Sequence, residues 1–341
     1  MRSRFLQNGA PRVGVVIFFI VIFSLQPAVG ADRLVGIQSA RVMSQSLPWI
    51  ADEARLFQKY NLDFQLVYIA SSGMATAAIL GGDAEAALTG GVGFVRAFVG
   101  GAPDIVFIGA VKNVMTQSIL AGPEIKTTED LKGKKVGVSR IGSNTHYFTV
   151  QVLKRAGMNP VRDVTFIQTG GEFETLAALS RGAIQAATLT APADARAITE
   201  GFHYVVYGPD LRIPYLATDF VTRRSVIAKR PQVVGQFMKA MAEALKIVHT
   251  DKAFVYKILG KYLRVDDKKT LDAAYSAEIK ALEERLAISS EAVQATLEEV
   301  AQIDPRALKY KPQDLVDSRY VDEMEKSGFF DRIWSQKRPG I

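Results

Sequence analysis

The 341-residue chain contains no cysteine. This absence excludes disulfide bonds, thiolate metal sites, cysteine nucleophiles and a lipid-modified amino-terminal cysteine. Histidine is scarce as well, since only His146, His203 and His249 occur, and they are far apart in the sequence. Because transition metals favour closely spaced imidazole and thiolate ligands, we expect neither a metal site nor a cofactor.

Several catalytic motifs are also missing. The sequence has neither the Gly-x-x-x-x-Gly-Lys-Ser/Thr loop of nucleotide hydrolases nor the Gly-x-Gly-x-x-Gly turn of dinucleotide-binding proteins. The segment GVSRI at 137–141 lacks the final glycine of a nucleophile elbow. We therefore expect a protein that is not an enzyme.

Positive charge is in small excess. The chain has 42 Lys and Arg residues against 35 Asp and Glu residues. Three of the basic residues lie within the first 30 positions, which contain no acidic residue, so the excess from residue 31 onward is four charges. Such a weak excess does not indicate a basic binding surface, and we expect no nucleic-acid partner.

The longest apolar run lies at the amino terminus. Residues 13–25, VGVVIFFIVIFSL, follow a basic segment and precede the small residues Ala28, Gly30 and Ala31. This run is shorter than the ~20 residues that span a bilayer, and the order of segments is typical of a secretory signal peptide. We expect residues 1–30 to be a signal peptide and the remainder to reach the periplasm without a lipid anchor. An uncleaved membrane anchor is the alternative.

From residue 33 onward, short apolar segments alternate with helical patterns. Strands are predicted at 33–38, 62–70, 84–90, 104–111, 134–139, 163–168 and 184–190, with helices between most of them, including one at 47–60. This alternation predicts an α/β fold with two units, each built on a parallel sheet with crossover helices. Residues 231–334 have helical patterns only, and we expect them to form a packing scaffold.

Small polar residues follow nearly every predicted strand. Ligands of open parallel sheets bind beyond the carboxyl ends of the strands, and free N–H groups at a helix start favour an anionic group. We therefore expect these loops to line one crevice, although helix capping alone would also explain them. The candidate ligand-binding residues in the loops are Ser44, Gln45, Ser71, Ser72, Gly73, Met74, Thr89, Gly90, Ser143, Asn144, Thr145 and Thr190.

Further candidates have more specific side-chain chemistry, and they are Arg41, Trp49, Arg140, His146, Asp194 and Tyr215. An arginine would pair with a carboxylate or sulfonate, the histidine would contact the ligand, and the aspartate would bind a ligand amine. The aromatic residues would stack on a flat ligand. For each residue the alternative is surface exposure, capping or core packing.

Three segments together resemble a known family. They are SSG at 71–73 with ILGGDAEAALTGG at 79–91, TTEDLKGKKVGVSRIGSNTH at 127–146, and ETLAALSRGAIQAATLTAP at 174–192. With the export signal, they are similar to periplasmic substrate-binding proteins of ABC transporters in the nitrate/sulfonate/taurine class. That class is SsuA-like and related to the thiamine-pyrimidine-synthase superfamily. The resemblance covers roughly residues 33–250.

The resemblance implies a type II periplasmic-binding-protein fold with a ligand cleft between two lobes. Lobe 1 would comprise 31–118 plus 218–341, including a helical carboxy-terminal extension, and lobe 2 would comprise 119–217. The two crossings would fall near 117–121 and 217–221. The implied function is that of a monomer that captures a small, anionic organic ligand and delivers it to the permease subunits of an ABC importer.

Two other functions remain open from the sequence. An exported enzyme on the same scaffold would need a nucleophile and a base, and His146 with Ser139 or Ser143 is the available combination. The related pyrimidine synthases depend on a cysteine-rich motif, which this chain lacks. A sensory binding protein would use the same cleft but report to a membrane receptor.

Overall fold

The computed structural model describes residues 30–265 and 267–335. The predicted signal peptide, apart from Gly30, lies outside the described residues. Within them, no helix has both the length and the apolar character needed to cross a membrane.

Ten strands form two five-stranded sheets. In chain order they are β1 (Asp32–Gln38), β2 (Leu62–Tyr68), β3 (Ala86–Thr89), β4 (Ile105–Val114), β5 (Ser118–Ala121), β6 (Lys135–Val138), β7 (Thr165–Gln168), β8 (Ala186–Leu189), β9 (His203–Val206) and β10 (Pro214–Arg223). The first sheet has the order β2-β1-β3-β10-β4, and the second has the order β7-β6-β8-β5-β9. The chain therefore leaves the first sheet after β4 and returns to it with β10.

Helices connect the strands and continue to the carboxy terminus. They are α1 (Leu47–Glu53), α2 (Leu56–Lys59), α3 (Ser72–Gly81), α4 (Val92–Val99), α5 (Asn144–Arg155), α6 (Glu172–Ser180), α7 (Ala193–Thr199), α8 (Arg224–Lys229), α9 (Pro231–Thr250), α10 (Lys252–Leu263), α11 (Lys268–Glu278), α12 (Ser290–Ala301), α13 (Pro312–Leu315), α14 (Arg319–Lys326) and α15 (Phe329–Ser335). The helix predicted at 47–60 is divided at Arg55, whose φ of 56° is left-handed and interrupts helical hydrogen bonding.

The prediction of two α/β units is confirmed, but the prediction that their sheets are wholly parallel is wrong. Strand β10 pairs antiparallel with β3 and β4, and β5 pairs antiparallel with β8 and β9. Neither strand was predicted from its local pattern, although the resemblance places crossings near both. Segment 118–121 is very short, and segment 214–223 begins with proline and contains the buried polar residues Thr218, Asp219 and Thr222, so it lacks an apolar strand pattern.

The links between the sheets lie at 115–117 and 207–213. Both precede the predicted crossings, because Ser118 already pairs with Leu189 and Thr218 already pairs with Lys112. The lobe limits drawn at 118/119 and 217/218 remain predictions.

The carboxy-terminal helices pack mainly on the first sheet. One apolar face of α9 is buried, as its sequence pattern predicts, through Val233, Val234, Phe237, Met241, Leu245 and Val248. Helix α9 packs on α1, and α12 packs on β10. Helix α11 additionally contacts α7, which belongs to the second sheet's unit. The carboxy-terminal region thus contacts both units.

Candidate functional site

A polar cavity of about 50 Å³, which we call the cleft cavity, lies between the units of the two sheets. The first unit contributes the segments after β1, before α3 and before α4. The second contributes the segments after β6, before α6 and after β8. Most of the cleft cavity is therefore formed by loops that follow strands, as the strand-end argument predicts, while Lys112 of β4 and Ala217 of β10 also line it.

Many of the predicted ligand-binding residues line this cavity. They are Ser44, Gln45, Ser71, Ser72, Gly90, Ser143, Asn144, Thr145 and Thr190. Positions that are far apart in the sequence are brought together here, with Ser72 on one side and Asn144 on the other.

Other predicted residues lie next to the cavity without lining it. Gly73 and Met74 are in the first turn of α3, and the Met74 side chain is exposed. Thr89 is fully buried, and its hydroxyl donates to Ser39 Oγ at 2.7 Å. Residues next to a lining residue in a helix or strand need not line the cavity themselves, because consecutive side chains of either element point in different directions.

The candidates with specific side-chain chemistry lie outside the cleft cavity. Arg41 is exposed and lies over the Tyr68 ring, and Arg140 is exposed. Asp194 is buried and accepts a hydrogen bond from Tyr204 Oη at 3.2 Å. Tyr215 is buried, stacks on Tyr147 at 4.2 Å between ring centroids and donates to Glu299.

His146 also lies outside the cleft cavity, with its ring edge against Phe166 at 4.5 Å between centroids. Burial, together with the positive charge of Arg96, lowers the pKa of His146 to about 4. Among the described residues, no hydrogen bond joins His146 to Ser139 or Ser143. Instead, Ser139 Oγ donates to Ser143 Oγ at 2.9 Å and lies 3.1 Å from Thr145 Oγ1. Within the described ranges, the side-chain-to-side-chain hydrogen bonds of this hydroxyl cluster join hydroxyls to one another and to no general base of the kind a serine nucleophile requires.

Several residues of the cavity were not predicted. They include Ser39, Tyr68, Lys112, Gln117 and Glu172. Glu172 begins a helix that follows a predicted strand. The argument that selected Ser143, that the residues after a strand line the crevice, therefore applies to Glu172 as well. Lys112 lies on strand β4, and Gln117 lies on the link that follows it. The predicted crossing between the sheets lies too late in the sequence.

Four helices begin at the cavity: α3, α4, α5 and α6. Two of their amino-terminal cap residues are serines, Ser71 and Ser143, and neither makes a side-chain capping hydrogen bond within the described residues. Capping alone therefore does not explain these serines. The free backbone N–H groups and the aligned peptide dipoles favour a negatively charged or strongly polar group at this point.

Among the described residues, four that line the cavity have buried polar atoms without a hydrogen-bond partner. They are Ser71 Oγ, Ser72 Oγ, Gln117 Oε1 and Asn144 Oδ1. Buried polar groups are normally hydrogen-bonded, because an unmade bond costs about 1–3 kcal/mol. Ser71 also adopts a φ of 81°, which is strained for a residue with a side chain. Unmet hydrogen bonds and backbone strain at one place are typical of a binding site.

The charges at the cavity balance. Lys112 Nζ lies 2.9 Å from Glu278 Oε2, and both side chains are buried, so this cation is already paired. Glu172 accepts hydrogen bonds from Thr190 N at 2.8 Å and Thr190 Oγ1 at 3.3 Å. Burial nevertheless raises the pKa of Glu172 to about 8, helped by the nearby Asp194. Glu172 is thus mainly uncharged at neutral pH, and the part of the cavity that the structure describes presents no unpaired charge.

The chain matches the sequence profile of the family described as NMT1/THI5 like over residues 48–252. No curated protein matches it.

Solved structures share its fold at low sequence identity. A protein from Bordetella bronchiseptica RB50 has a TM-score of 0.78 at 19% identity, covering 87% of this chain and 98% of that one. The periplasmic aliphatic sulphonate binding protein SsuA from Escherichia coli has a TM-score of 0.65 at 20% identity, covering 84% and 96%. The desulfurization enzyme DszB has a TM-score of 0.66 at 14% identity, covering 87% and 99%. The predicted two-lobed periplasmic-binding-protein fold is confirmed.

Proposed function

The chain belongs to the NMT1/THI5-like family, and on this premise we propose that it is an extracytoplasmic solute-binding protein. It is exported to the periplasm, captures a small, anionic organic ligand between its two lobes as a monomer, and delivers it to the permease subunits of an ABC importer. The observation that carries this proposal is the convergence of four buried, unpartnered polar atoms on one cavity between the lobes.

The chemistry of the cavity supports a ligand with an anionic group. Hydroxyls of Ser71 and Ser72 and the N–H groups at four helix starts are hydrogen-bond donors. With Lys112 paired to Glu278, the negative charge of the ligand is stabilised by these neutral donors and by the helix dipoles. Protonated Glu172 adds one more O–H donor at neutral pH.

The size of the cavity supports capture by closure of the lobes. Its volume of about 50 Å³ is a few times the ~10–15 Å³ that one water needs, and it is far below the ~300–1,000 Å³ typical of small-molecule sites. An organic ligand of that usual size therefore needs the lobes to separate before it enters. The two links at 115–117 and 207–213 are the chain segments that absorb such a hinge motion.

The enzyme alternative has less support. DszB shows that a similar scaffold is used by an enzyme, but no hydrogen bond among the described residues joins the serines and the histidine that catalysis would need here. Binding without chemical conversion is the function that the site supports best.

The proposal is tested by thermal unfolding of the purified protein with a panel of small alkyl sulfonates, carboxylates and inorganic anions. A ligand at 100-fold its Kd should stabilise the folded protein by about 2.7 kcal/mol and be recovered unchanged by mass spectrometry. Ser72→Ala, which removes an unpartnered hydroxyl of the cavity, should weaken binding, whereas the exposed Ser290→Ala should not. Consumption of the stabilising compound would support the enzyme alternative, and no stabilisation by any anion would refute an anionic ligand.

A further inference from the structure

A second cavity, of about 470 Å³, lies on the first sheet's unit and adjoins the cleft cavity at Tyr68. We call it the aromatic cavity and define it by Trp49, Phe57, Phe64, Leu66, Tyr68 and Tyr262, with Arg41, Asp52, Lys261 and Arg264 among its other lining residues. Its volume lies within the ~300–1,000 Å³ typical of small-molecule sites. It is several times larger than the cleft cavity.

Flat apolar surfaces form much of the wall of the aromatic cavity. Strand β2 lies at the edge of its sheet and presents Phe64, Leu66 and Tyr68 on one face, since alternate strand residues point the same way. Tyr68 remains 39% exposed. From the helices, Trp49 and Tyr262 stack at 5.0 Å between ring centroids and 9° between ring planes. Such surfaces favour a planar ring through stacked or edge contacts.

The charged residues of the aromatic cavity leave an excess of positive charge. Arg41 places its guanidinium 4.7 Å from the centre of the Tyr68 ring. Lys261 is paired with Glu53, whereas neither Arg41 nor Arg264 has an ion pair within the described residues. Among the described residues that line it, Asp52 is the one that is acidic. Two unpaired arginines against one carboxylate favour an anionic group, and an arginine binds a carboxylate or sulfonate through paired hydrogen bonds.

We propose that the aromatic cavity is a second ligand site, which binds a planar aromatic anion such as an aromatic carboxylate or sulfonate. The ring lies against the aromatic wall, and the acidic group pairs with the arginines Arg41 and Arg264. This site differs chemically from the cleft cavity, where the charges are balanced and neutral donors predominate. It is independent of whether the cleft cavity binds a transported solute.

The experiment uses isothermal titration calorimetry with naphthalene-2-sulfonate and, as a non-aromatic comparison, cyclohexanesulfonate. We expect one bound naphthalene-2-sulfonate per chain and at least tenfold weaker binding of cyclohexanesulfonate. The double variant Arg41→Gln/Arg264→Asn should weaken the aromatic ligand at least tenfold. Both arginines are exposed, and asparagine tolerates the left-handed φ of 55° at position 264, so this variant should fold.

Two further variants locate the bound ring. Ser72→Ala alters only the cleft cavity and should leave the affinity for naphthalene-2-sulfonate unchanged. Trp334→Phe leaves Trp49 as the sole tryptophan, because the chain has two, and its emission should change with the same midpoint as the calorimetric titration. No binding at millimolar concentration, an unchanged affinity in the double arginine variant, or loss of binding in Ser72→Ala would overturn the proposal.

Discussion

At the scale of single residues, the cleft cavity depends on side chains that the folded protein leaves without partners. Ser71 and Ser72 are buried at the start of α3, yet their hydroxyls have no hydrogen-bond partner within the part of the chain that the structure describes. Ser71 also has a strained backbone. A residue that only stabilised the fold would satisfy its hydrogen bonds, so these serines are explained better by a ligand.

The strain at Ser71 leads to a prediction for Ser71→Gly. Glycine adopts a φ of 81° without steric cost, so this variant should gain about 1 kcal/mol of unfolding free energy, the lower part of the range for such strain. Because Ser71→Gly lacks the serine hydroxyl, it should also bind the cleft ligand more weakly. Urea unfolding and calorimetry measure the two effects. Ser71→Ala keeps the strain and should lose affinity alone; equal stability of the two variants would contradict the strain argument.

The raised pKa of Glu172 predicts a pH dependence of binding. Asp194, whose pKa burial raises to about 7, and the paired Lys112 are the charged groups near it. As pH rises through about 8, Glu172 ionises and adds a negative charge to the cavity. Affinity for an anionic ligand should therefore decrease above this pH, as measured by calorimetry between pH 6 and pH 9. Glu172→Gln stays neutral and should remove most of that decrease; an unchanged pH profile in this variant would refute the assignment.

The raised pKa of Glu172 also predicts how the free energy of unfolding changes with pH. A carboxyl whose folded pKa is raised binds its proton more tightly in the folded protein, so its contribution to folding declines as pH rises from about 4.5 to about 8. Glu172→Gln lacks this decline. The difference in unfolding free energy between variant and wild type should thus grow in favour of the variant across that range.

At the scale of elements, the link from β4 to the second sheet is tied to the carboxy-terminal helices. Lys112 on β4 pairs with Glu278 at the end of α11, and Thr116 donates to the same carboxylate. Both side chains of the ion pair are 1% exposed. Because α11 also contacts α7 of the other unit, this buried cluster connects a hinge segment with a helix that reaches both lobes.

The buried pair predicts unequal costs for single and double substitutions. Glu278→Gln leaves the charge of Lys112 buried and uncompensated and should cost about 3–5 kcal/mol of unfolding free energy. Lys112→Met combined with Glu278→Leu removes both charges and should cost clearly less. Urea unfolding of the three proteins provides the comparison. A double variant as unstable as Glu278→Gln would show that packing, not charge, determines the stability here.

At the scale of the whole molecule, the described arrangement brings the two units into direct contact. Asn144 on α5 donates through Nδ2 to Ala217 O at 2.9 Å, and Arg96 on α4 donates to Gly142 O at 3.3 Å. Gly90, before α4, faces Asn144 so closely that a Cβ there would lie 2.4 Å from its amide. A larger residue at position 90 would therefore have to displace the Asn144 side chain.

This close approach predicts that Gly90→Ala opposes closure. The added methyl would displace Asn144 and break its bond to Ala217, so affinity for the cleft ligand should fall at least tenfold, which is about 1.4 kcal/mol. Small-angle scattering should show a larger radius of gyration at saturating ligand. Gly81→Ala is the matched control, because Gly81 is exposed and a Cβ there meets only the Asp83 carboxylate, at 3.5 Å and beyond. Equal affinity of the two variants would contradict a role for Gly90 in closure.

The sequence by itself determined the alternation of strands and helices, the helical carboxy-terminal region and the loops that form the cleft cavity. These follow from local patterns, since apolar periodicity and helix-starting residues act over a few positions. The tertiary structure decided which members of those loops line the cavity: Ser72 and Asn144 do, whereas His146 and Tyr215 turn toward aromatic neighbours. It also decided that β5 and β10 join their sheets antiparallel, that Lys112 is paired with Glu278, and that burial raises the pKa of Glu172. These features depend on contacts between residues as much as 166 positions apart, and their burial and charge exist only once the chain has folded.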